Sequence, residues 1–113
     1  MNDLELCKKF AELDNVNTEV SVFSSESVLV YKYMGGDKCH LYNTANIYNP
    51  IADLALNCAA IIKYRLKVEP EYDGEWYATR CDGGWSKRQA SKTKDASLQR
   101  AVVACILKSE GLL

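Results

Sequence analysis

Between residues 48 and 78 the sequence reads as one helix followed by one hairpin, and no other stretch constrains the fold as much. Asn49 can cap free backbone N–H groups, and Pro50 suits the first helical position, where its missing N–H would have no partner anyway. Asp53 favours the positive end of the helix dipole. Leu54, Cys58, Ile61 and Ile62 form an apolar stripe, with Ala52, Ala55, Ala59 and Ala60 permitting close approach. Residues 66–72 and 75–80 then predict two strands joined at Asp73-Gly74, a tight-turn pair. Pro70 makes the first of them a short or edge strand. An alanine-rich helix next to a hairpin is suited to lying flat on a sheet.

The flanking segments extend this pattern. Residues 3–13 predict a helix capped by Asp3, with Leu6, Phe10 and Leu13 on one stripe, Cys7 beside them, and Asn15-Val16-Asn17 ending it. Residues 19–23 and 28–33 read as strands around a Ser24–Ser27 turn, and Gly35-Gly36-Asp37 marks another turn. Residues 39–42 give a third short strand or an extended connection. Residues 82–94 are polar and carry Gly83-Gly84, which predicts a mobile basic loop. A last helix runs from about residue 96 to 110, with Asp95 as cap, Gly111 as terminator, and Leu98, Ala101, Val102, Cys105 and Ile106 on its apolar face. The expectation is an α+β chain, residues 1–113 as a single domain, in the order α-β-β-(β)-α-β-β-α. Its architecture is an α/β/α sandwich: a mainly antiparallel sheet of four or five strands with three helices. The alternative is a two-layer α+β arrangement with all helices on one face; residues 27–33, apolar at nearly every position, favour burial on both faces and hence three layers.

Composition narrows the setting. The chain has 113 residues, 48% hydrophobic and 26% charged, an ordinary globular balance that needs no metal or disulfide staple. Its net charge of −1 gives no global attraction for nucleic acid or an acidic membrane. Five cysteines, Cys7, Cys39, Cys58, Cys81 and Cys105, form no CxxC, and three of them (Cys7, Cys58, Cys105) fall on apolar helix faces. They read as reduced core thiols of a cytoplasmic protein. Asp3, Glu5, Lys8 and Lys9 near the N-terminus do not resemble a signal peptide, and no apolar run is long enough to span a bilayer.

Several of these residues together resemble a known family. Tyr48-Asn49-Pro50, Asp53, Ala59-Ala60-Ile61-Ile62-Lys63-Tyr64 with Leu66 and Val68, Gly74-Glu75-Trp76-Tyr77-Ala78 and Leu98-Gln99-Arg100-Ala101 are similar to the bacteriophage α/β/α sandwich domain of small phage and prophage proteins. The likeness lies within the C-terminal two thirds of the chain. It implies a sheet between helices, a phage origin and no assigned enzymatic activity. Leu54-Ala55-Leu56 and Ala96-Ser97 depart from the family's usual pattern.

No constellation predicts catalysis or a cofactor. His40, the only histidine, adjoins Cys39, but strand neighbours point to opposite faces and Cys81 is the sole obvious third metal ligand. The glycine pairs lack the spacing of a phosphate loop. Glu69, Glu71, Asp73 and Glu75 cluster on the hairpin, where alternation places Glu69 and Glu71 on one outward, solvated acidic face. The sharper signal is Trp85 with Lys87, Arg88, Lys92 and Lys94. Tryptophan and arginine anchor protein interfaces, and an aromatic among lysines can also stack on an unpaired base. Tyr31 and Tyr33 share a strand face that would be sticky if left uncovered. The reading is therefore a small non-enzymatic phage or prophage accessory protein in the host cytoplasm. It binds a host protein, for instance as an inhibitor of a bacterial defence complex, through Trp85, Lys87, Arg88, Lys92 and Lys94, with Glu69, Glu71, Asp73 and Glu75 as the competing surface. The alternatives are a nucleic-acid-binding module and a structural homodimer, with no membrane partner.

Overall fold

The computed structural model describes residues 2–23, 25–32, 47–81 and 93–113. The order among these is α1 (Asp3–Leu13), β1 (Thr18–Phe23), β2 (Glu26–Tyr31), α2 (Leu54–Tyr64), β3 (Leu66–Pro70), β4 (Trp76–Arg80), β5 (Thr93–Asp95) and α3 (Leu98–Ser109). The chain is α+β and its described strand pairs are all antiparallel, as the sequence predicts. Among the described residues the five strands form a two-stranded sheet, β1-β2, and a three-stranded one, β3-β4-β5, where the sequence predicts one sheet. Contacts divide the chain into two compact units, Met1–Asn49 and Pro50–Leu113.

In the first unit, α1 is capped by Asn2, whose side chain accepts the Glu5 N–H at 2.9 Å; Asp3, the expected cap, lies inside the first turn. Leu6, Cys7, Phe10 and Ala11 are buried on one face, and α1 packs on β2. Asn15 adopts φ 56° and turns the chain out of the helix. The β1–β2 register runs unbroken from Thr18↔Tyr31 to Phe23↔Glu26, so the connection is two residues and β2 starts earlier than the expected four-residue turn allowed. Leu29 and Val30 are adjacent and both buried, so β2 is covered on both faces at its centre, while Glu26 and Ser27 are exposed. Beyond β2, Val30 bridges Ile47 and the Tyr48 N–H donates to the Leu29 carbonyl at 2.8 Å. The Tyr48 ring meets Tyr31 edge-on, centroids 5.3 Å apart. The expected strand at 39–42 lies outside the described residues, as do Tyr33 and the Cys39-His40 pair.

In the second unit, α2 starts later than the Asn49-Pro50 signal suggested. Asp53 is its cap, accepting the Ala55 and Leu56 N–H groups at 3.0 and 3.3 Å, because its carboxylate sits directly before the run of helix formers. Residues 50–52 form a turn instead. The inward face is also rotated from the expected stripe: Asn57, Ala60 and Tyr64 are buried, whereas Leu54 is 58% and Ile62 78% exposed and Cys58 is exposed. Asn57 accounts for the rotation. Its side-chain amide donates to the carbonyls of Pro50 (2.9 Å) and Gln99 (3.1 Å), tying α2 to the turn before it and to the first turn of α3. Arg65, in the left-handed region at φ 52°, ends the helix.

β3 and β4 pair from Leu66↔Arg80 to Pro70↔Trp76, and β4 pairs β5 from Trp76↔Asp95 to Ala78↔Thr93. Pro70 closes an edge strand, as expected. Strand β5 takes residues 93 and 94, which the sequence places in the basic loop, together with Asp95. Asp95 is not the cap of α3; Ser97 is, accepting the Arg100 N–H at 3.2 Å, while Asp95 accepts the Ser97 N–H and pairs with Arg100. Ala101, Val102, Val103, Cys105, Ile106 and Leu107 of α3 are all buried, a wider face than the predicted stripe. Ala78 of β4 packs against Ala101 and Cys105, with Leu66 alongside.

Two outcomes follow from this packing. Asn57→Ala leaves the Pro50 and Gln99 carbonyls without their donor and should cost about 2 kcal/mol, read as a lower urea midpoint at unchanged slope. Iodoacetamide on the folded protein should label Cys58 and Cys81, which are exposed, and leave buried Cys7 and Cys105 unmodified until unfolding, as peptide mass spectrometry will show.

Candidate functional site

The face of the three-stranded sheet that turns away from α2 and α3 gathers part of the predicted surface. Ala78 and Arg80 point toward the helices, so alternation sends Tyr77 and Thr79 the other way. The register places Glu69, Tyr77 and Lys94 side by side across β3, β4 and β5. Lys94 Nζ lies 2.7 Å from Asp73 Oδ2 and 5.6 Å from the Tyr77 ring centroid. Lys67 pairs with Glu69 at 3.3 Å on the same face.

The hairpin loop presents Asp73 to this row. Gly74 N–H donates to the Glu71 carbonyl at 3.2 Å and Gly74 takes φ 84°, a conformation that favours glycine. Glu71 N–H donates to the Glu75 carbonyl at 2.8 Å, so three residues, Tyr72, Asp73 and Gly74, form the loop. This is one residue longer than an Asp-Gly turn and carries its glycine where a three-residue hairpin needs it. Asp73 Oδ1 also accepts the Glu75 N–H at 3.1 Å. Tyr72, at the tip, is fully exposed.

The acidic hairpin is therefore not a uniform acidic face. Glu69 is matched by Lys67 and Asp73 by Lys94, while Glu71 and Glu75 sit at the neck of the loop. Glu71 does not share a strand face with Glu69, because β3 ends at Pro70. Lys94 is joined to the acids it was expected to compete with. Trp85, Lys87, Arg88 and Lys92 lie outside the described residues.

Electrostatics follow the geometry. The hydrogen bond from Lys94, reinforced by the Glu75 N–H, holds the Asp73 carboxyl below the ordinary 3.8. The hydrogen bond to Asp73 holds Lys94 above the ordinary 10.5. Both groups are solvated, so the pair orients the surface more than it stabilises the fold.

Sequence reasoning missed two other features. Arg80 is buried, donates to Ser109 Oγ at 2.9 Å, pairs with Glu110, and stacks on the Tyr64 ring at 5.3 Å. It ties the end of β4 to the C-terminal ends of both helices, where a cation is favoured. The signal was its inward parity with Ala78, since a charge in a core position needs partners. The first unit also holds a cleft of about 190 Å³, lined by the start of α1 (Asp3, Cys7), the start of β2 (Glu26, Ser27) and residues 47–49. There the Cys7 thiol donates to Asn49 Oδ1 at 3.5 Å. Among the described residues, no three His, Cys, Asp or Glu side chains come together as a metal site, and no helix is long and apolar enough to cross a membrane.

No family model, no curated protein and no solved structure matches this chain.

The Asp73–Lys94 pair has a defined pH signature. The lowered Asp73 contributes stability above its unfolded value, lost as pH falls through the folded one; the raised Lys94 contributes below 10.5, lost as pH rises through its folded value. The pair is intact throughout the interval between. Lys94→Met should move the Asp73 carboxyl midpoint up toward 3.8 in an NMR titration, with added salt moving the wild type the same way.

Proposed function

We propose that this chain is a non-enzymatic binding protein of phage or prophage origin that engages a protein of its bacterial host in the host cytoplasm. Its contact surface is the hairpin tip with the basic segment leading into β5. The observation that carries this reading is the join between Lys94, Asp73 and Tyr77 beside the exposed Tyr72. A fixed pair of opposite charges flanked by tyrosines suits a protein interface, where aromatic and arginine anchors supply most of the affinity. Polyanion binding needs free positive charge, and Lys94 is already matched by an acid. Trp85 and Arg88 belong to the sequence segment before β5 and are of the residue types that anchor protein interfaces. The exposed Leu54 and Ile62 on α2 add apolar area to the same unit, more in keeping with a protein partner than with a nucleic acid. Inhibition of a host enzyme or defence complex is a role that needs only such a stable surface.

The deciding experiment is capture from bacterial lysate with the wild type, with a Trp85→Ala/Arg88→Ala double variant and with a Tyr72→Ala/Lys94→Ala double variant. The wild type should recover a specific partner, and each variant should lose at least tenfold in affinity. Equal recovery by all three removes the assignment of this surface. Gel shifts at low salt that show DNA or RNA binding, falling steeply as salt rises, would replace a host protein with a nucleic acid.

A further inference from the structure

Among the described residues β1, β2, β3 and β5 lie at sheet edges; β2 is met on its outer side by Ile47 and Tyr48, and β3 and β5 carry devices that prevent further pairing. β3 ends in Pro70 and exposes Lys67 and Glu69; β5 is three residues long with an exposed lysine at its centre. Proline, charge and shortness are the usual protections of an edge. β1, Thr18-Glu19-Val20-Ser21-Val22-Phe23, is less protected: six residues in unbroken register, with no proline, no basic residue and Glu19 as its one charge.

Two hydrogen bonds show which backbone groups of β1 face outward. Lys32 N–H donates to the Asn17 carbonyl at 2.8 Å, which continues the β1–β2 register as a hydrogen-bonded pair. Antiparallel ladders alternate, so Glu19, Ser21 and Phe23 are the residues of β1 that bond to β2. The second bond agrees: Leu29, opposite Val20, directs its carbonyl to the Tyr48 N–H on the far side of β2. Thr18, Val20 and Val22 therefore turn their N–H and carbonyl groups away from β2. Val20 and Val22 are also 46% and 61% exposed.

We propose that β1 pairs antiparallel with β1 of a second copy of this chain, about a two-fold axis at Val20. In this register Val20 faces Val20 of the second copy and Thr18 faces Val22, and each such pair exchanges two hydrogen bonds. The outward groups of one strand meet their complements on the other. Glu19 falls opposite Ser21, so no like charges meet across the seam. A second copy suits this edge, since the same three residues, Thr18, Val20 and Val22, supply both sides of the contact and bring no charge to it. The pairing also closes, because each edge is consumed by the other and a four-stranded β2-β1-β1-β2 sheet results. This inference goes beyond the host-binding role and concerns the other unit of the chain, so either can fail alone.

The test uses the full chain in sedimentation velocity with the wild type, Val20→Lys, Val20→Glu and an equimolar mixture of the two variants. The wild type should shift with concentration from 12.7 kDa toward twice that mass. Each variant alone should stay at the monomer mass, because like charges then face each other at the axis, and the mixture should recover the doubled mass. Amide exchange of the wild type gives a readout independent of the variants' folding: Val20 and Val22 should be protected at high concentration and exchange freely on dilution. A wild type monomeric at every concentration overturns the proposal. So do variants that associate as the wild type does, a mixture that stays monomeric, growth beyond the dimer, or Val20 and Val22 exchange that ignores concentration.

Discussion

The contact between Ala78 and the Ala101–Cys105 stretch of α3 is the one on which the second unit depends. All three side chains are small and fully buried, so β4 and α3 approach closely and a larger group at any of them would force the two apart. Placing Ala78 inward settles the parity of the central strand. Trp76 and Arg80 share its side, and Tyr77 and Thr79 take the other. The row Glu69, Tyr77, Lys94 follows from the register, and the Asp73–Lys94 pair follows from that row. The candidate surface is in this sense the reverse side of a core contact.

Polar groups then set the angles that apolar packing leaves loose. Asn57 is buried between a turn and a helix terminus and donates to a carbonyl of each. Arg80 joins the last turn of α3 and the ring of Tyr64. Buried polar groups are costly unless bonded, so each tolerates few arrangements of its neighbours. Ala60 and Ile61 alone would accept α2 in more than one rotation; the Asn57 amide accepts one. Its consequence at the surface is the exposure of Leu54 and Ile62.

Edges show a second division of labour. In the three-stranded sheet the protective residues are also the surface residues: Lys67, Glu69 and Lys94 keep the edges soluble and supply charge to the outer face. In the two-stranded sheet Leu29 and Val30 of β2 are buried and β2 is flanked by Ile47, while β1 turns outward the backbone groups of the uncharged Thr18, Val20 and Val22. The two sheets therefore offer different chemistry, side-chain contacts from one and backbone pairing from the other.

Local signals were legible wherever the physics is local. The three described helices, the two hairpins, the edge position of the Pro70 strand and Gly111 as a helix terminator could all be read along the chain, because capping, turn chemistry and periodicity act over a few residues. It misplaced the caps of all three helices by one to four positions, since Asn2, Asp53 and Ser97 each had a neighbouring competitor of similar chemistry. Strand β5 was hidden because three residues carry too little periodicity to be read. The tertiary structure alone decided the rotation of α2, the burial of Arg80, the division into two sheets and the meeting of Lys94 with Asp73. Each of these depends on partners 21 or more residues away in the chain or on the choice between two faces of similar composition, and no local pattern encodes either.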